Sequence, residues 1–308
     1  MSNITPLRAT IDIGSNTVLL LAGETTPFKE LAKLSEVTSL GKGLDKTGVF
    51  SEESMTATFK ALTSYRSVCN QLGIKPEDII TTATDAARVA KNSREFFEKI
   101  RSELGINVLV ITGQAEAELT TKGILLNTSF NIPEVVVMDI GGASTELIRV
   151  NTESQSAKSL ISLPVGSVRV ADWLGESTFD ARLGHIFTTN SNALDSFSTE
   201  TLYCVAGTLT SLANMHLGHK VFEENEVHGM RMKTEEIDEL LQRFGGWSPE
   251  QFLDRFPFLG KRAHAILGGM TLVHHMLHRL KVKDVVVSTY GLRYGTFLEG
   301  RIKHDYLA

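Results

Sequence analysis

Two aspartates stand at the same place in two like stretches. Asp12, in "TIDIGSNTVLLLAG" (Thr10 to Gly23), and Asp139, in "VVVMDIGGASTELIRV" (Val135 to Val150), each close an apolar run and are followed by Ile-Gly, a small residue, and then hydroxyl-bearing and apolar residues. The copies align without a gap: Asp12 answers to Asp139, Gly14 to Gly141, Ser15 to Gly142 and Thr17 to Ser144. Glycine lets backbone N–H groups approach a ligand with no Cβ in the way, and neighbouring hydroxyls add donors, a combination suited to phosphate oxygens. A carboxylate at the preceding strand end can hold Mg²⁺ directly or through water, and the ion offsets phosphate charge. A plain hairpin with a glycine turn needs no ligand. It also has no use for an aspartate at the same strand end twice, so the repeated device reads as a phosphate clamp.

The surrounding pattern supplies elements to position these turns. "ATIDIG", "TVLLLAGE" and "AKLSEVTSLG" read as strands, followed by a helix over about Glu52 to Leu72 with Ser51 as its cap. "DIITTAT" and "INVLVIT" read as further strands, with "SREFFEKIRSEL" as a helix between them and another helix around Gln114 to Leu126. Beyond the "FNIP" turn and the second copy come "SLISLPVG", a helix-rich segment, the strand "TLYCVAG", the helix "TLTSLANMHL" and the late strand "DVVVSTYG". The alternation predicts an α/β protein of two domains, residues 1–126 and 127–308, each carrying one phosphate loop. Because the linker near Asn127 is short and both turns lie at strand carboxyl ends, a ligand cleft between the domains is expected.

The bulk numbers limit the partners. A chain of 308 residues with 42% hydrophobic and 22% charged residues suits a soluble protein of two domains, and the start "MSNITPLRAT" has no secretory pattern, so a cytoplasmic location is expected. A net charge of -5 argues against nucleic-acid polymers and anionic membranes as partners; any polyanion site must be built locally. Cys69 and Cys204 stand alone, without metal-ligand spacing, as reduced core residues.

The ordered blocks "IDIGSNTVLLL", "LGKGLDKTG", "ATDAARVAKN", "GQAEAEL", "MDIGGASTEL", "LPVGSVRV", "VAGTLTSLA", "HGMRM" and "YGLRYG" resemble the exopolyphosphatase and guanosine pentaphosphate phosphatase (Ppx/GppA) family, within the actin-like, sugar kinase and heat-shock-protein superfamily. The resemblance spans almost the whole chain and is to the short, two-domain form. It implies two actin-like (ribonuclease H-like) domains and Mg²⁺-dependent hydrolysis of a terminal phosphoanhydride. The implied substrate is inorganic polyphosphate or guanosine pentaphosphate, and a homodimer is compatible with it.

Carried over by motif, Glu116 in "ITGQAEAEL" would be the base that orients the attacking water, and Arg88 would neutralise charge on the transferred group. Asp139, then Glu146 and Asp12, are the metal candidates. Ser15, Asn16, Gly141, Gly142 and Ser144 would donate to phosphate oxygens, and Gly207 and Thr208 would hold the remote part of a chain or nucleotide. Without the resemblance, Glu116 reads as a solvated helix residue and Arg88 as a surface ion pair.

The sequence also departs from the family pattern. Ala143 replaces the third glycine of Gly-Gly-Gly-Ser-Thr, Ala115 the first acid before Glu116, and Ala206 the first glycine of Gly-Gly-Thr. Asp85 sits where a small residue is usual, and Tyr294 replaces an acid. Ala143 would cost most if its φ had to be positive. His274 and His278, four apart in "VHHMLH", lack the glutamate of a zinc helix and read as packed or solvated, as do His216 and His219. Lys42 and Lys46 read equally as a basic lip or a solvated loop, and "GRIKHDYLA" as the exposed end after a final helix. The competing functions are a small-molecule kinase of the same superfamily and a regulator that binds polyphosphate or alarmone without cleaving it.

Overall fold

The computed structural model describes residues 6–126 and 132–308. These fall into two compact units: residues 6–126 with 290–308, and residues 132–289.

In the first unit β1 (Leu7–Ile13), β2 (Thr17–Thr25) and β3 (Phe28–Val37) form an antiparallel meander, and β4 (Ile79–Ala83) and β5 (Val108–Val110) extend it in parallel, giving the order β3-β2-β1-β4-β5. The second unit repeats the plan. β6 (Glu134–Ile140), β7 (Thr145–Asn151) and β8 (Ser156–Leu163) form the meander, β9 (Thr201–Val205) and then β11 (Asp284–Val287) extend it in parallel, and the short antiparallel β10 (Arg231–Lys233) lies at the edge, so that the order is β10-β11-β9-β6-β7-β8. The duplication read from the two aspartate turns thus extends to the strand order of both sheets.

Burial follows position in the sheet. β1 and β6 are central and bury consecutive residues on both faces, whereas the outer β3 carries Lys29, Glu30, Lys33 and Glu36, a charged edge that discourages strand addition. The first core joins Ile11, Ile13, Val18 and Leu20 to Leu62, Tyr65, Phe96 and Phe97 from the helices Glu52–Gln71 and Ser93–Leu104. Ser51 caps the first of these helices by accepting from the Ser54 N–H at 3.2 Å. The second core joins Met138, Leu147 and Cys204 to Leu209, Ile237, Met270 and Leu277, from the helices Ala206–His216, Thr234–Phe244 and Ala263–Leu280. Cys69 and Cys204 are both buried free thiols.

The extent of the second domain differs from the sequence expectation. The helix Leu292–Glu299 belongs to the first unit, where Tyr294 and Phe297 pack with Leu21 and Phe28. Its contact with the helix Gly113–Leu125 is close enough that a Cβ on Gly295 would stand 1.7 Å from the Leu119 carbonyl oxygen. The tail is not simply exposed either: Tyr306 is buried and donates to Glu118 Oε2 at 2.7 Å, while Leu307 bridges to Ile111. The expected boundary at Asn127, and Phe130 and Asn131 of "FNIP", lie outside the described residues.

Candidate functional site

In the first unit the β1–β2 turn is closed by the Gly14 N–H donating to the Thr17 carbonyl at 3.0 Å. Ser15 and Asn16 form its tip. Their carbonyls accept from Gly41 at 2.7 Å and from Thr38 and Ser39 at 3.0 Å each, so the "SLG" stretch is strapped across the turn. Asp12, one strand residue before the turn, is only partly exposed, and its Oδ1 is buried with no hydrogen-bond partner. Burial pushes its carboxyl from the ordinary 3.8 up to about 7, and the positive charge of Arg293 offsets part of that rise.

Asp12 lies beside Thr82 in the parallel β1–β4 pair, and the chain leaves β4 through Thr84 into the short helix Asp85–Val89. That helix carries Arg88. Its Nη1 donates to Glu116 Oε2 at 3.1 Å and to the Ile111 carbonyl at 2.8 Å, and its Nη2 lies 3.6 Å from Asp85 Oδ1. Glu116 stands in the first turn of the helix Gly113–Leu125, whose cap, Thr112, accepts from the Ala115 N–H at 3.1 Å. A carboxylate favours this positive helix end, and the guanidinium fixes where its oxygens point. The two sequence-predicted catalytic residues therefore meet directly. Ala115, on the same turn, is fully buried with Ile111, Leu119, Leu292 and Tyr306, an apolar contact where the resemblance leads one to expect an acid.

The second unit repeats the turn: the Gly141 N–H donates to the Ser144 carbonyl at 3.0 Å, the same length as at Gly14. Here the strap is "VGSVRV". The Gly142 carbonyl accepts from Val168 at 2.9 Å and Arg169 at 3.3 Å, and Arg169 Nη1 donates to the Ala143 carbonyl at 2.7 Å. Gly166 permits this approach, because a Cβ there would stand 2.5 Å from the Gly142 carbonyl carbon. Asp139 and Glu146 are direct register partners across β6 and β7, so both carboxylates project from one face of the sheet. Glu146 is buried and accepts from Ser162 Oγ at 2.7 Å. The Asp139 charge is also felt at Cys204, whose thiol is pushed up first by burial and then by that carboxylate.

Val205 is the parallel partner of Asp139, and the next residue opens the helix Ala206–His216, which brings Gly207 and Thr208 to the same sheet edge as the second turn. The Arg262 side chain lies against Gly207, 3.3 Å from where a Cβ would stand. Ala206 has φ 73, a left-handed conformation in which its Cβ is crowded. Ala143 is not among the positive-φ residues, so the anticipated backbone cost falls at Ala206 instead.

The metal candidates divide by unit, Asp139 with Glu146 in one and Asp12 in the other. Sequence reasoning missed Arg169 and Arg293, although both stand in the quoted blocks "LPVGSVRV" and "YGLRYG"; no spacing rule marks them, because their partners lie in distant segments. Asp85, a departure from the family pattern, flanks Arg88. Tyr294 replaces its acid as a buried ring whose hydroxyl donates to Glu30 at 2.7 Å.

Two α/β units of one strand order, each with an Asp-Ile-Gly turn between its first two strands, give the chain an actin-like fold. The profile of the Ppx/GppA phosphatase family matches residues 21–304, and the chain belongs to that family. It is 29% identical over 96% of its length to a bifunctional 3-dehydroquinate synthase/phosphatase of Fusobacterium nucleatum, 46% of which is covered. It is 33% identical over 68% of its length to a guanosine-5'-triphosphate,3'-diphosphate pyrophosphatase of Aliivibrio fischeri, 41% of which is covered. The chain thus spans less than half the length of these curated relatives. The crystal structure of a Ppx/GppA family member from Aquifex aeolicus superposes with a TM-score of 0.74 at 26% identity, covering 96% of this chain and 97% of that one. An exopolyphosphatase structure from Cytophaga hutchinsonii gives a TM-score of 0.86 at 23% identity, covering 96% and 99%, a likeness of fold.

Proposed function

We propose that the chain is a Mg²⁺-dependent phosphohydrolase that releases terminal orthophosphate from inorganic polyphosphate or converts guanosine pentaphosphate to the tetraphosphate. The observation that carries this reading is the Glu116–Arg88 contact of 3.1 Å, made by the helices that follow β4 and β5 at the carboxyl ends of the parallel strands, the end at which β1 leads into the first turn, in a chain whose second unit repeats that turn. Membership of a phosphatase family and the printed names of the two curated relatives support the same reaction class.

In this reading water attacks the terminal phosphorus, the bridging P–O bond breaks, and the shortened chain leaves with the bonding electrons. Glu116 accepts the water's proton, and Arg88 holds that carboxylate in position and offsets charge on the equatorial oxygens. Backbone N–H groups of the turns, with Ser15, Asn16 and Ser144, serve phosphate oxygens, and Gly207 and Thr208 serve the remote part of the substrate. The donor set suits Mg²⁺, because Asp139 and Glu146 put two oxygen-bearing groups of like charge on one sheet face, an arrangement that a divalent cation relieves. When bound, the ion would offset phosphate charge.

The test is phosphate release from long-chain polyphosphate and, in parallel, from guanosine pentaphosphate, each with Mg²⁺ and with chelator, using the wild type and Glu116→Gln. Metal-dependent release, reduced about 100-fold or more by the substitution in a folded protein, is expected. Undiminished turnover in Glu116→Gln would remove Glu116 from its role. Binding without release would make the chain a sensor, and acceptor-dependent ADP formation from ATP would make it a kinase.

A further inference from the structure

The histidines set aside in "VHHMLH" meet a partner that the sequence does not reveal. His274 and His278 lie one turn apart on the helix Ala263–Leu280, which packs on the helix Thr234–Phe244. From that second helix Asp238 reaches both rings: its Oδ1 lies 2.7 Å from His274 Nδ1 and 3.3 Å from His278 Nε2, and its Oδ2 lies 3.0 Å from His278 Nε2. One donor atom from each of the three residues falls within 4.8 Å of the others.

We propose that Asp238, His274 and His278 form a binding site for a borderline divalent transition metal, Zn²⁺ foremost. Two imidazole nitrogens and a carboxylate are the ligand types such ions take, and bonds of about 2.0–2.1 Å place neighbouring donor atoms roughly 3.3 Å apart, near the 2.7 and 3.0 Å that already separate Asp238 oxygens from the two rings. The helices fix that spacing from behind. Ile237 and Leu240 on one and Met270, Val273 and Leu277 on the other are buried in the core, so the backbones carrying the ligands are set before any ion arrives. No lysine or arginine competes for the Asp238 carboxylate among the described residues. The side chains are 30%, 33% and 54% exposed for His274, Asp238 and His278, which leaves room for water to complete the coordination shell. An ion here would replace two N–H···O bonds by metal–ligand bonds and clamp the helices to each other. The site uses none of the residues assigned to phosphate hydrolysis.

The experiment uses the full chain stripped of metal, titrated with Zn²⁺ against a chromophoric chelator and, separately, with Co²⁺ followed by visible absorption. The same titrations are run on His278→Gln, His274→Gln and Asp238→Asn, each checked for fold by circular dichroism. One equivalent of Zn²⁺ is expected in the wild type, with binding weakened at least tenfold and the Co²⁺ bands lost or altered in every variant. His278→Gln changes the most exposed of the three and guards against a folding defect. Equal stoichiometry and affinity in wild type and His278→Gln, or no bound equivalent in the wild type, would overturn the proposal.

Discussion

Replacing Asp12 by asparagine should stabilise the protein, and only above a certain pH. Asp12 ends a central strand with a carboxylate oxygen that is buried and without a hydrogen-bond partner, and its carboxyl is raised from 3.8 to about 7 by burial. Between those values the folded protein holds a proton that the unfolded chain has released, so stability falls as pH rises through this window. Below it both states are protonated, and above it the whole cost is present. A shift of that size corresponds to roughly 4 kcal/mol, and the part of Asp12 that remains open to solvent lowers the expected figure to about 1–3 kcal/mol. Asparagine keeps the shape and removes the charge. Urea unfolding in chelator should therefore give nearly equal stabilities for wild type and Asp12→Asn at ~pH 4, and a variant more stable by about 1–3 kcal/mol at ~pH 8. Other titrating groups are common to both proteins and cancel in the difference. A stability difference that does not change between the two pH values would refute the reasoning, because it would mean that the Asp12 carboxyl titrates alike in the folded and the unfolded chain.

Gly295→Ala should destabilise by about 3 kcal/mol, read by denaturant unfolding, because its Cβ would stand 1.7 Å from the Leu119 carbonyl and must part the two helices. Turnover should fall as well, since Glu116 rides on the helix that is displaced. Ala206→Gly should raise stability by about 0.5–1 kcal/mol, as relief at φ 73 exceeds the added entropy of the unfolded chain; a loss of stability would show the residue to be unstrained. Arg88→Lys should lower kcat by roughly 10- to 100-fold in a folded protein, because an ammonium cannot serve Glu116, Asp85 and the Ile111 carbonyl together, and unchanged kinetics would show that the guanidinium fork is not needed.

What the sequence discloses, and what it hides, follows the range of the interactions. The two Asp-Ile-Gly turns are local, and their composition marks both the hairpins and the duplication that the strand orders repeat. The helix Ser93–Leu104 is delimited by its own apolar spacing and by Gly105, whose φ of 67 ends it. The return of residues 290–308 to the first unit is different: nothing local in the final helix names a partner, and only the fold shows that Leu21 and Phe28 receive Tyr294 and Phe297. The same holds for Asp238, which lies 36 residues before His274 and on another helix. Arg88 and Glu116 stand out by resemblance rather than spacing, since 28 residues separate them and nothing local couples the pair.

The duplicated turns share a backbone but not a charge pattern, and this difference bears on where a cation belongs. Asp12 faces Leu19 across the β1–β2 ladder, whereas Asp139 faces Glu146 across β6–β7. A single buried carboxyl with an apolar neighbour lowers its cost by taking up a proton, as the upward shift at Asp12 expresses. Two carboxyls directly opposed on one face repel each other when both are ionised, so a proton or a cation between them is favoured. Doubling of the turn therefore does not entail doubling of the metal site. On the proposed function, the first copy is left with an acid that burial inclines to keep its proton despite the charge of Arg293, and the second copy would be the one to hold a divalent ion. The distinction lies in one position of the repeat, leucine in one copy and glutamate in the other.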